Sequence, residues 1–379
     1  MMVLAANRKL VTAQADITAA FVHAELGQDE HIYVHQPAGF RRGENMVLKL
    51  KKSVYGLRQA PRYFFNHLKE RLESKDIGLK QSSRDPCLFV GSKVIVVVYV
   101  DDILFFAKED GMIRRVIDGL KRKGIAIRRE GTAEGFLGVD IERSESKEGK
   151  QQIIFRQKGL TSRIITALGL DSSLSTRLST PAEVGPLPKD VNGTPAAGNF
   201  NYAAVVGMLL YLSGHSRPDI AFAVHQVARY TFKPTRRHEL ALVRIGRYLK
   251  GTKDEGLIMC PSLEPSVECF PDADFAGLYG HEDSQDPHCA RSRTGYVILA
   301  FGCPVVWRSN LQSEIALSTM EAEYIAFSTA CKDLIPVVGI IRELSKTVDL
   351  NDGFVANLHI KIHEDNVGAL TLAKMDLDE

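Results

Sequence analysis

Two adjacent acids, Asp101 and Asp102, are the residues in this chain best suited to chemistry. Apolar runs over residues 94–98 and 103–106 flank them and predict a buried β-hairpin with the acids at its turn. Carboxylates beside buried strands cost stability unless a partner compensates their charge, and divalent cations are common partners. A surface turn without function is the alternative. The pattern therefore favours a metal-dependent enzyme.

A third acid, Asp16, ends an apolar strand predicted over residues 10–15. Acids at the ends of neighbouring strands can converge on two Mg²⁺ ions about 4 Å apart, which is the arrangement that nucleotidyl transfer uses. The alternative for Asp16 is the N-cap of a helix over residues 18–21.

A second set of acids lies in the last third of the chain, at predicted strand ends and near a helix start. They are Asp272, Asp274, Glu321, Glu323 and Asp365. Glu321 and Glu323 are two positions apart on the predicted helix, so only one of them can face a site. Glu321 fits a capping box with Ser318, and we assign Glu323 to chemistry.

The elements that must hold these acids alternate in type. The patterns predict a helix over residues 62–74, a strand over 134–143, a helix over 156–170 that ends at Gly169, a linker over 172–198 and a helical segment over 202–250. The last block reads as strands at 267–270, 294–307 and 358–363, a long helix over 318–345 and a short terminal helix. This order predicts an α/β (α+β) fold.

Length and composition agree with a globular protein of two or three domains: 379 residues, 45% hydrophobic and 25% charged. The net charge is only +2, but basic residues cluster. The clusters are Arg41, Arg42, Lys49, Lys51 and Lys52; Arg114, Arg115, Lys121, Arg122 and Lys123; and Lys233, Arg236, Arg237, Arg244, Arg247 and Lys250. Each alone is typical of a solvated helix face, but three together favour a polyanion partner.

Several function classes lack their signatures. The six cysteines show no C-x-x-C spacing, which argues against a zinc knuckle or a disulfide framework and fits a reducing compartment. The apolar run around residues 94–106 is too short to cross a bilayer. Phosphate-loop, dinucleotide and nucleophile-elbow motifs are absent. His31 and His35 share a strand face, but a surface hairpin explains them better than a metal site.

With these residues in place, the chain resembles the reverse transcriptase and ribonuclease H region of copia-type LTR retrotransposon Pol polyproteins. QADITAAFVHAEL, IYVHQPAGF, KLKKSVYGLRQAPRYF and VVYVDDILFFA resemble the polymerase segments, and FLGVDIER resembles the primer-gripping segment. YAAVVGMLLYLSGHSRPDIAFAVHQVARY resembles the connection region. SRTGYVILAFGCPVVWRS, ALSTMEAEYIA and HEDNVGAL resemble the ribonuclease H domain. Their shared order makes the resemblance specific.

The resemblance implies roles for individual residues. Asp16, Asp101 and Asp102 match the polymerase metal ligands, and Asp272, Glu323 and Asp365 match the ribonuclease H acids, with two Mg²⁺ per site and Mn²⁺ as a substitute. The residues that it assigns to substrate are Phe21, Gln59, Arg58, Tyr99 and Lys52. Phe21 would exclude a ribose 2′-hydroxyl, and Arg58 or Lys52 would lie near the phosphates. Core packing is the alternative for Phe21.

The resemblance also implies an architecture and partners. It predicts a reverse-transcriptase palm and fingers with a thumb-like end over residues 1–180, a linker and connection region over 181–262, and a ribonuclease H-like domain over 263–379. The expected partners are an RNA template, a DNA primer strand, an RNA/DNA hybrid and dNTPs, with no membrane and an open oligomeric state. The expected location is the cytoplasm, in a virus-like particle, or the nucleus.

Two departures from the family pattern define the alternative reading. A fourth ribonuclease H acid is expected beyond Glu379, and a basic fingers segment is expected before the first catalytic strand. The alternative is a truncated remnant that binds nucleic acid but is inactive or weakly active.

Overall fold

The structure is a computed structural model, and it describes residues 1–43, 45–146, 149, 151–171, 178–345 and 357–375. Its first elements are α1 (Met2–Asn7), β1 (Val11–Ile17), β2 (Tyr33–His35), β3 (Val47–Lys49), α2 (Ala60–Leu72), β4 (Lys80–Gln81), β5 (Leu88–Val90), β6 (Val94–Tyr99), β7 (Asp102–Ala107), α3 (Asp110–Arg122) and β8 (Ile127–Gly131). Then follow β9 (Gly135–Phe136), β10 (Val139–Glu145), β11 (Gln151–Arg156), α4 (Lys158–Ala167), α5 (Tyr202–His215), α6 (Ala221–Ala228), α7 (Arg236–Gly251), β12 (Leu257–Met259), β13 (Ser266–Asp274), β14 (Arg293–Ala300), β15 (Cys303–Leu311), α8 (Thr319–Ser345), β16 (His359–Ile362) and α9 (Val367–Lys374).

The chain divides into two compact units, each described here by itself. The hairpin unit contains Arg8–Ala133 and the end of α8 from Gly339. The helix-sheet unit contains Met1–Asn7, Glu134–Val338 and the described residues from 357 onward, which include β16 and α9. The three sequence segments predicted above stay a prediction, because units defined by packing need not follow segments defined by family resemblance.

The hairpin unit is built on one sheet with the strand order β4-β5-β6-β7-β1-β8. Every pair is antiparallel, so alternate side chains of β1, β6 and β7 point to the same face. On one face Ala15, Val96 and Phe105 pack against α2 and α3, where Phe64 and Leu68 recur at helical spacing. Full burial of such side chains contributes about 1.5–3 kcal/mol each, so this core fixes the strands rigidly.

Most predicted elements of the N-terminal region are present. The apolar runs form the β6–β7 hairpin, and the helix predicted over 62–74 is α2, which begins two residues earlier. The strand predicted over 134–143 is wrong in detail, because a turn divides it into β9 and β10. Leu137 and Gly138 form that turn with φ of 50° and 73°, and a left-handed pair of residues cannot continue a strand.

The helix predicted over 156–170 is α4, and Gly169 follows it with φ of 66°. The linker prediction is only partly testable, because residues 172–177 lie outside the described part of the chain. From residue 178 the segment is irregular but packed. The Tyr230 hydroxyl donates a hydrogen bond to the carbonyl oxygen of Leu187, and Nε2 of His238 is hydrogen-bonded to that of Pro188. This stretch is therefore a structured connection and not a free linker.

The helix-sheet unit combines a helical cluster with two sheets. Helices α4 to α7 share one apolar core. One sheet has the order β12-β11-β10-β9, and the other has the order β15-β14-β13-β16. In the second sheet β13 pairs antiparallel with β14 and parallel with β16, so the ends of β13 and β16 meet at one edge.

Helix α8 lies against this second sheet through one narrow face. Ala322, Ala326, Ala330 and Leu334 are buried at intervals of four residues, which is the stripe of a helix packed on one side. By length and composition α8 is nevertheless long and apolar enough to cross a membrane. Length and composition alone are weak grounds for a membrane span, because core helices pass the same test.

Candidate functional sites: two carboxylate clusters

The turn of the β6–β7 hairpin positions the first acids. Tyr99 pairs with Asp102, so only Val100 and Asp101 form the turn. Val100 has φ of 56°, a left-handed conformation that β-branched residues rarely adopt. Such strain costs about 1–3 kcal/mol and persists only where the surrounding structure enforces it, often at functional sites. The two apolar strands enforce it here.

Strand β1 brings the third acid to this turn. Asp16 is the register partner of Asp102, and the amide of Ile17 donates to the carbonyl oxygen of Asp101 at 2.9 Å. Asp16 lies within the strand, and the following 3-10 helix begins at Ala20 with Ala19 as its N-cap. The capping alternative for Asp16 is therefore excluded.

The three acids form an electrostatic cluster that lacks a basic partner. Burial, then Asp101, Asp16 and Glu130, raise the pKa of Asp102 above its ordinary value. Among the described residues, no Lys, Arg or His lies within ion-pair distance of the three carboxylates. Arg128, the other register neighbour of Asp16, pairs with Glu130 at 3.1 Å. Carboxylate oxygens without a cation fit the hard-ligand preference of Mg²⁺.

Glu130 is not among the acids predicted from the sequence. It belongs to β8, the strand on the other side of β1, and nothing in its local sequence distinguishes it from a solvated strand acid. Only the strand order places it near Asp102.

The predicted substrate residues fall into packed and exposed groups. Phe21 is partly buried, with its ring centroid 4.7 Å from that of Tyr55 and 6.3 Å from that of Phe64. Its backbone oxygen accepts a hydrogen bond from Ser53. Core packing is thus part of the role of Phe21, and the sugar-contacting role stays a prediction.

The remaining predicted substrate residues lie near the surface. Gln59 stands at the start of α2 and donates to Glu30 at 3.1 Å. Arg58, Lys52 and Tyr99 are exposed, Tyr99 by 54%. These side chains are accessible to a ligand, and their binding roles stay predictions.

The second cluster combines three kinds of element. Asp272 comes from β13, Glu323 from the first turns of α8, and Glu364 and Asp365 follow β16. Carboxylate oxygens of Glu323, Glu364 and Asp365 lie within 4.8 Å of one another, a spacing that could hold a metal ion. Parallel pairing of β13 with β16 explains why acids far apart in sequence meet.

Burial is uneven in this second cluster, since Glu323 and Glu364 are partly buried whereas Asp272 and Asp365 are exposed. Burial, then Asp272, Glu364 and Asp365, raise the pKa of Glu323 to about 7, while a hydrogen bond from the backbone of Ala273 opposes the rise. Burial also raises the pKa of Glu364. One carboxylate oxygen of Glu323 and one of Glu364 are buried without a partner. Two unpaired buried oxygens among acids are the chemistry expected of cation ligands.

Glu364 is a second functional candidate that sequence reasoning missed. Its position directly before Asp365 is only a weak signal, because adjacent residues on a strand point to opposite sides. After β16 ends, the chain no longer alternates, and both acids reach the cluster.

The structure also tests the predictions for Glu321, Asp274 and the two histidines. The capping role of Glu321 is confirmed, since the Ser318 hydroxyl accepts from its amide at 3.1 Å and its carboxylate accepts from the Leu317 amide at 2.7 Å. Asp274 is exposed and outside the metal-spaced group. His31 and His35 are exposed, as expected of a surface hairpin.

The sequence is similar to those of known proteins. Residues 1–181 match the family described as reverse transcriptase (RNA-dependent DNA polymerase). The chain is 33% identical to the retrovirus-related Pol polyprotein from transposon TNT 1-94 of Nicotiana tabacum over 354 residues, covering 90% of this chain and 25% of the relative. It is 30% identical over 376 residues to that from transposon RE2 of Arabidopsis thaliana, covering 97% and 24%. A transposon Ty5-1 protein of Saccharomyces cerevisiae is 29% identical over 328 residues, covering 84% and 100%.

Residues 1–181 therefore belong to the reverse transcriptase family. As expected from the sequence motifs, the chain is similar along most of its length to retrovirus-related Pol polyproteins of plant transposons. It spans about a quarter of the length of the two plant relatives.

Proposed function

We propose that the chain is an RNA-directed DNA polymerase that extends a DNA primer strand on an RNA template with dNTPs. The observation that carries this proposal is the pairing of Asp16 with Asp102 beside Asp101, at a strained turn and with no basic partner among the described residues. A purely structural hairpin has no need for three acids in one place, whereas nucleotidyl transfer does.

In this mechanism Asp16, Asp101 and Asp102 hold two divalent cations, Mg²⁺ or Mn²⁺. When bound, such ions lower the pKa of an attacking hydroxyl and offset the negative charge that develops on the phosphates. The protein supplies fixed ligands, because antiparallel pairing on both sides of β1 sets the distances between the carboxylates before substrate arrives. Phe21 excludes the ribose 2′-hydroxyl, and Gln59, Arg58 and Tyr99 contact substrate.

Primer extension on a poly(rA) template with an oligo(dT) primer and Mg²⁺ tests the proposal. We expect Asp101→Asn/Asp102→Asn to lower deoxynucleotide incorporation by on the order of 10³-fold, because several kcal/mol of charge stabilisation is removed. Asp118→Asn, an exposed acid on α3, is the matched control and should change little. Equal, minimal incorporation by wild type and the double variant would favour the nucleic-acid-binding remnant instead.

We further propose that the second cluster hydrolyses the RNA strand of an RNA/DNA hybrid. The specific observation in favour is the pair of buried, unpartnered oxygens on Glu323 and Glu364 within a metal-spaced group. The second sheet, with β13 central and α8 between β15 and β16 in sequence, is consistent with a ribonuclease H-like domain.

Glu364 gives this site a fourth carboxylate from within the described chain. Together with Asp272, Glu323 and Asp365 it can hold two cations and orient a water for attack on a phosphodiester. We therefore do not require an acid beyond Glu379 for hydrolysis, which differs from the expectation drawn from sequence.

Cleavage of a labelled hybrid with Mg²⁺ tests this second proposal. We expect Glu364→Gln to lower the cleavage rate by about 10- to 100-fold, as loss of a metal ligand or its immediate support does. Glu314→Gln, an exposed acid between β15 and α8, is the control. Cleavage that is unaffected by Glu364→Gln but abolished by Glu323→Gln would leave Glu364 outside the site.

A broader context accompanies both proposals. We assign residues 1–180 to the polymerase, 181–262 to the connection and 263–379 to the ribonuclease H-like domain, and we place the protein in the cytoplasm or the nucleus. Its partners are template RNA, primer DNA and their hybrid.

A further inference from the structure

Arg293 is a buried cation in the helix-sheet unit that neither cluster uses. It stands at the start of β14 and is only 7% exposed. One of its amino groups donates to Nδ1 of His225 at 3.1 Å and lies 3.4 Å from the hydroxyl of Ser309. Its guanidinium lies over the ring of Phe222, 5.1 Å from the centroid. These neutral contacts hold the side chain in place but do not neutralise its charge.

No described acid forms an ion pair with this charge, and Asp274, its register partner on β13, attracts it only over a longer distance. Within the described chain, no carboxylate lies within 4.0 Å of the Arg293 guanidinium. Burial, then repulsion from Arg229, lowers the pKa of Arg293 to about 10, so the group is still charged at neutral pH. Arg229 itself is paired with Glu282 at 2.8 Å. A buried charge without a counter-charge is costly, which favours an anion as its partner.

A cavity of about 120 Å³ adjoins this guanidinium. One water needs roughly 10–15 Å³ of such space, so the cavity has room for several waters or one tetrahedral anion. Two arginines, Arg291 and Arg293, line it against one acid, the exposed Asp274. The Nε of Arg291 is buried without a hydrogen-bond partner. The residues that line the cavity thus carry more positive than negative charge, and the Nε of Arg291 is free to donate a hydrogen bond.

The remaining lining makes this a shaped site. Gln226, from α6, is 3% exposed, and its Oε1 has no partner. The loop residues Gly185 and Pro186 close the cavity on the side where it meets a second, larger cavity. The two guanidinium groups offer several donors at once, which suits an anion with several acceptor oxygens, whereas the unpartnered Oε1 of Gln226 is an acceptor and adds none.

We propose that the cavity beside Arg293 binds a phosphate group, carried either by a phosphodiester of a nucleic acid strand or by free phosphate. Guanidinium groups bind phosphate through paired N–H donors, and the two arginines here supply such donors without competing carboxylates at bonding distance. Binding through a phosphodiester rests on the proposed nucleic-acid function, whereas binding of free phosphate does not.

Thermal unfolding of the full chain in sodium phosphate, against sodium chloride of equal ionic strength, tests the site directly. We expect phosphate to raise the Tm of wild type and of Arg308→Gln, an exposed arginine of the same sheet that pairs with Asp333. The shift should be lost in Arg293→Gln and in Arg291→Gln. No phosphate-specific shift in wild type overturns the proposal, as does an unchanged shift in either variant when circular dichroism shows it folded.

Arg291→Gln decides the question if Arg293→Gln does not fold, because Arg291 is partly exposed and its removal leaves the contacts of Arg293 intact. A second arm identifies the source of the phosphate. If a 12-base-pair hybrid binds Arg291→Gln about 10-fold more weakly than wild type and phosphate competes with it, the ligand is a phosphodiester. If only free phosphate binding changes, the ligand is the free anion. Both readouts are independent of polymerisation and hydrolysis.

Discussion

The two carboxylate clusters are built in opposite ways. Asp16 and Asp102 lie on the directly paired strands β1 and β7, and Asp101 lies in the adjoining turn; all three are partly buried above a fully buried core. Glu323, Glu364 and Asp365 come from a helix and from the chain after a parallel edge strand, and two of their oxygens are buried. The hairpin cluster is thus fixed by strand register, whereas the second cluster depends on how α8 is held against its sheet.

The comparison predicts that core damage affects the hairpin cluster most severely. Phe105, on β7, is fully buried among residues of α2 and α3. We expect Phe105→Ala to lower the free energy of unfolding by about 3–5 kcal/mol, because it leaves a cavity under the acids. Primer extension should fall with it. Urea unfolding measures the change.

Phe232→Ala, at a fully exposed position, is the matched control for loss of a phenyl ring. We expect it to shift stability by less than about 0.5 kcal/mol. If Phe105→Ala costs no more than this control, rigid support of the hairpin is not what fixes its acids.

The second cluster should be most sensitive at the contact that holds α8. Gln312 is 3% exposed, and its amide nitrogen donates to the carbonyl oxygen of Ala322 at 2.9 Å and to the Thr294 hydroxyl at 3.1 Å. Gln312→Ala removes both of these buried hydrogen bonds and should cost about 1–3 kcal/mol. Because Ala322 precedes Glu323, hybrid cleavage should fall while primer extension does not.

Gln285→Ala removes an exposed glutamine side chain of the same unit and serves as its control. Partial rescue by Gln312→Asn, which keeps an amide donor, is expected of a positioning residue. Equal loss of both activities in Gln312→Ala would mean that the two clusters do not depend on separate supports.

Near the hairpin cluster, Phe21 tests whether packing and substrate selection share one residue. The ring contacts Tyr55 and Phe64 and is only partly buried. We expect Phe21→Ala to raise ribonucleotide relative to deoxyribonucleotide incorporation by about 10- to 100-fold, because a steric barrier to the 2′-hydroxyl is lost. Phe40→Ala, an exposed ring, is the control. Unchanged sugar discrimination would leave Phe21 with its packing role alone.

The same contrast explains how far the sequence could be interpreted. Residues 94–106 carry a local signal, since two continuous apolar runs around two acids define a hairpin without distant contacts. The approach of Asp16 also follows from its position at a strand end. Glu130 carries no local signal, and Glu364 carries only its place beside Asp365. Each reaches its cluster through the strand order, Glu130 on β8 and Glu364 just after β16.

The packing of the irregular segment between α4 and α5 could not be predicted from the sequence either. The irregular stretch after residue 178 is rich in Pro and Gly and resembles a linker, yet Tyr230 and His238 bond to its carbonyl oxygens. Every residue has a backbone carbonyl oxygen, and the path of the chain decides which one accepts a hydrogen bond. The residue types of that stretch therefore do not predict these bonds. The site at Arg293 was missed for a similar reason, since its burial depends on α6 and not on its own strand.

The smallest predicted effect concerns how the second carboxylate cluster makes the free energy of unfolding depend on pH. The pKa of Glu323 is raised to about 7 by burial and then by Asp272, Glu364 and Asp365, so the folded chain binds more protons than the unfolded chain between pH 4.5 and 7. Without divalent cations, the free energy of unfolding should therefore fall as pH rises through this window. Glu323→Gln should reduce that fall, by about 2–4 °C in Tm between pH 5 and pH 8 in EDTA. Asp102→Asn, in the hairpin cluster, provides the comparison and should change the slope less. If both variants alter the slope equally, the large rise in the pKa of Glu323 does not distinguish the two clusters.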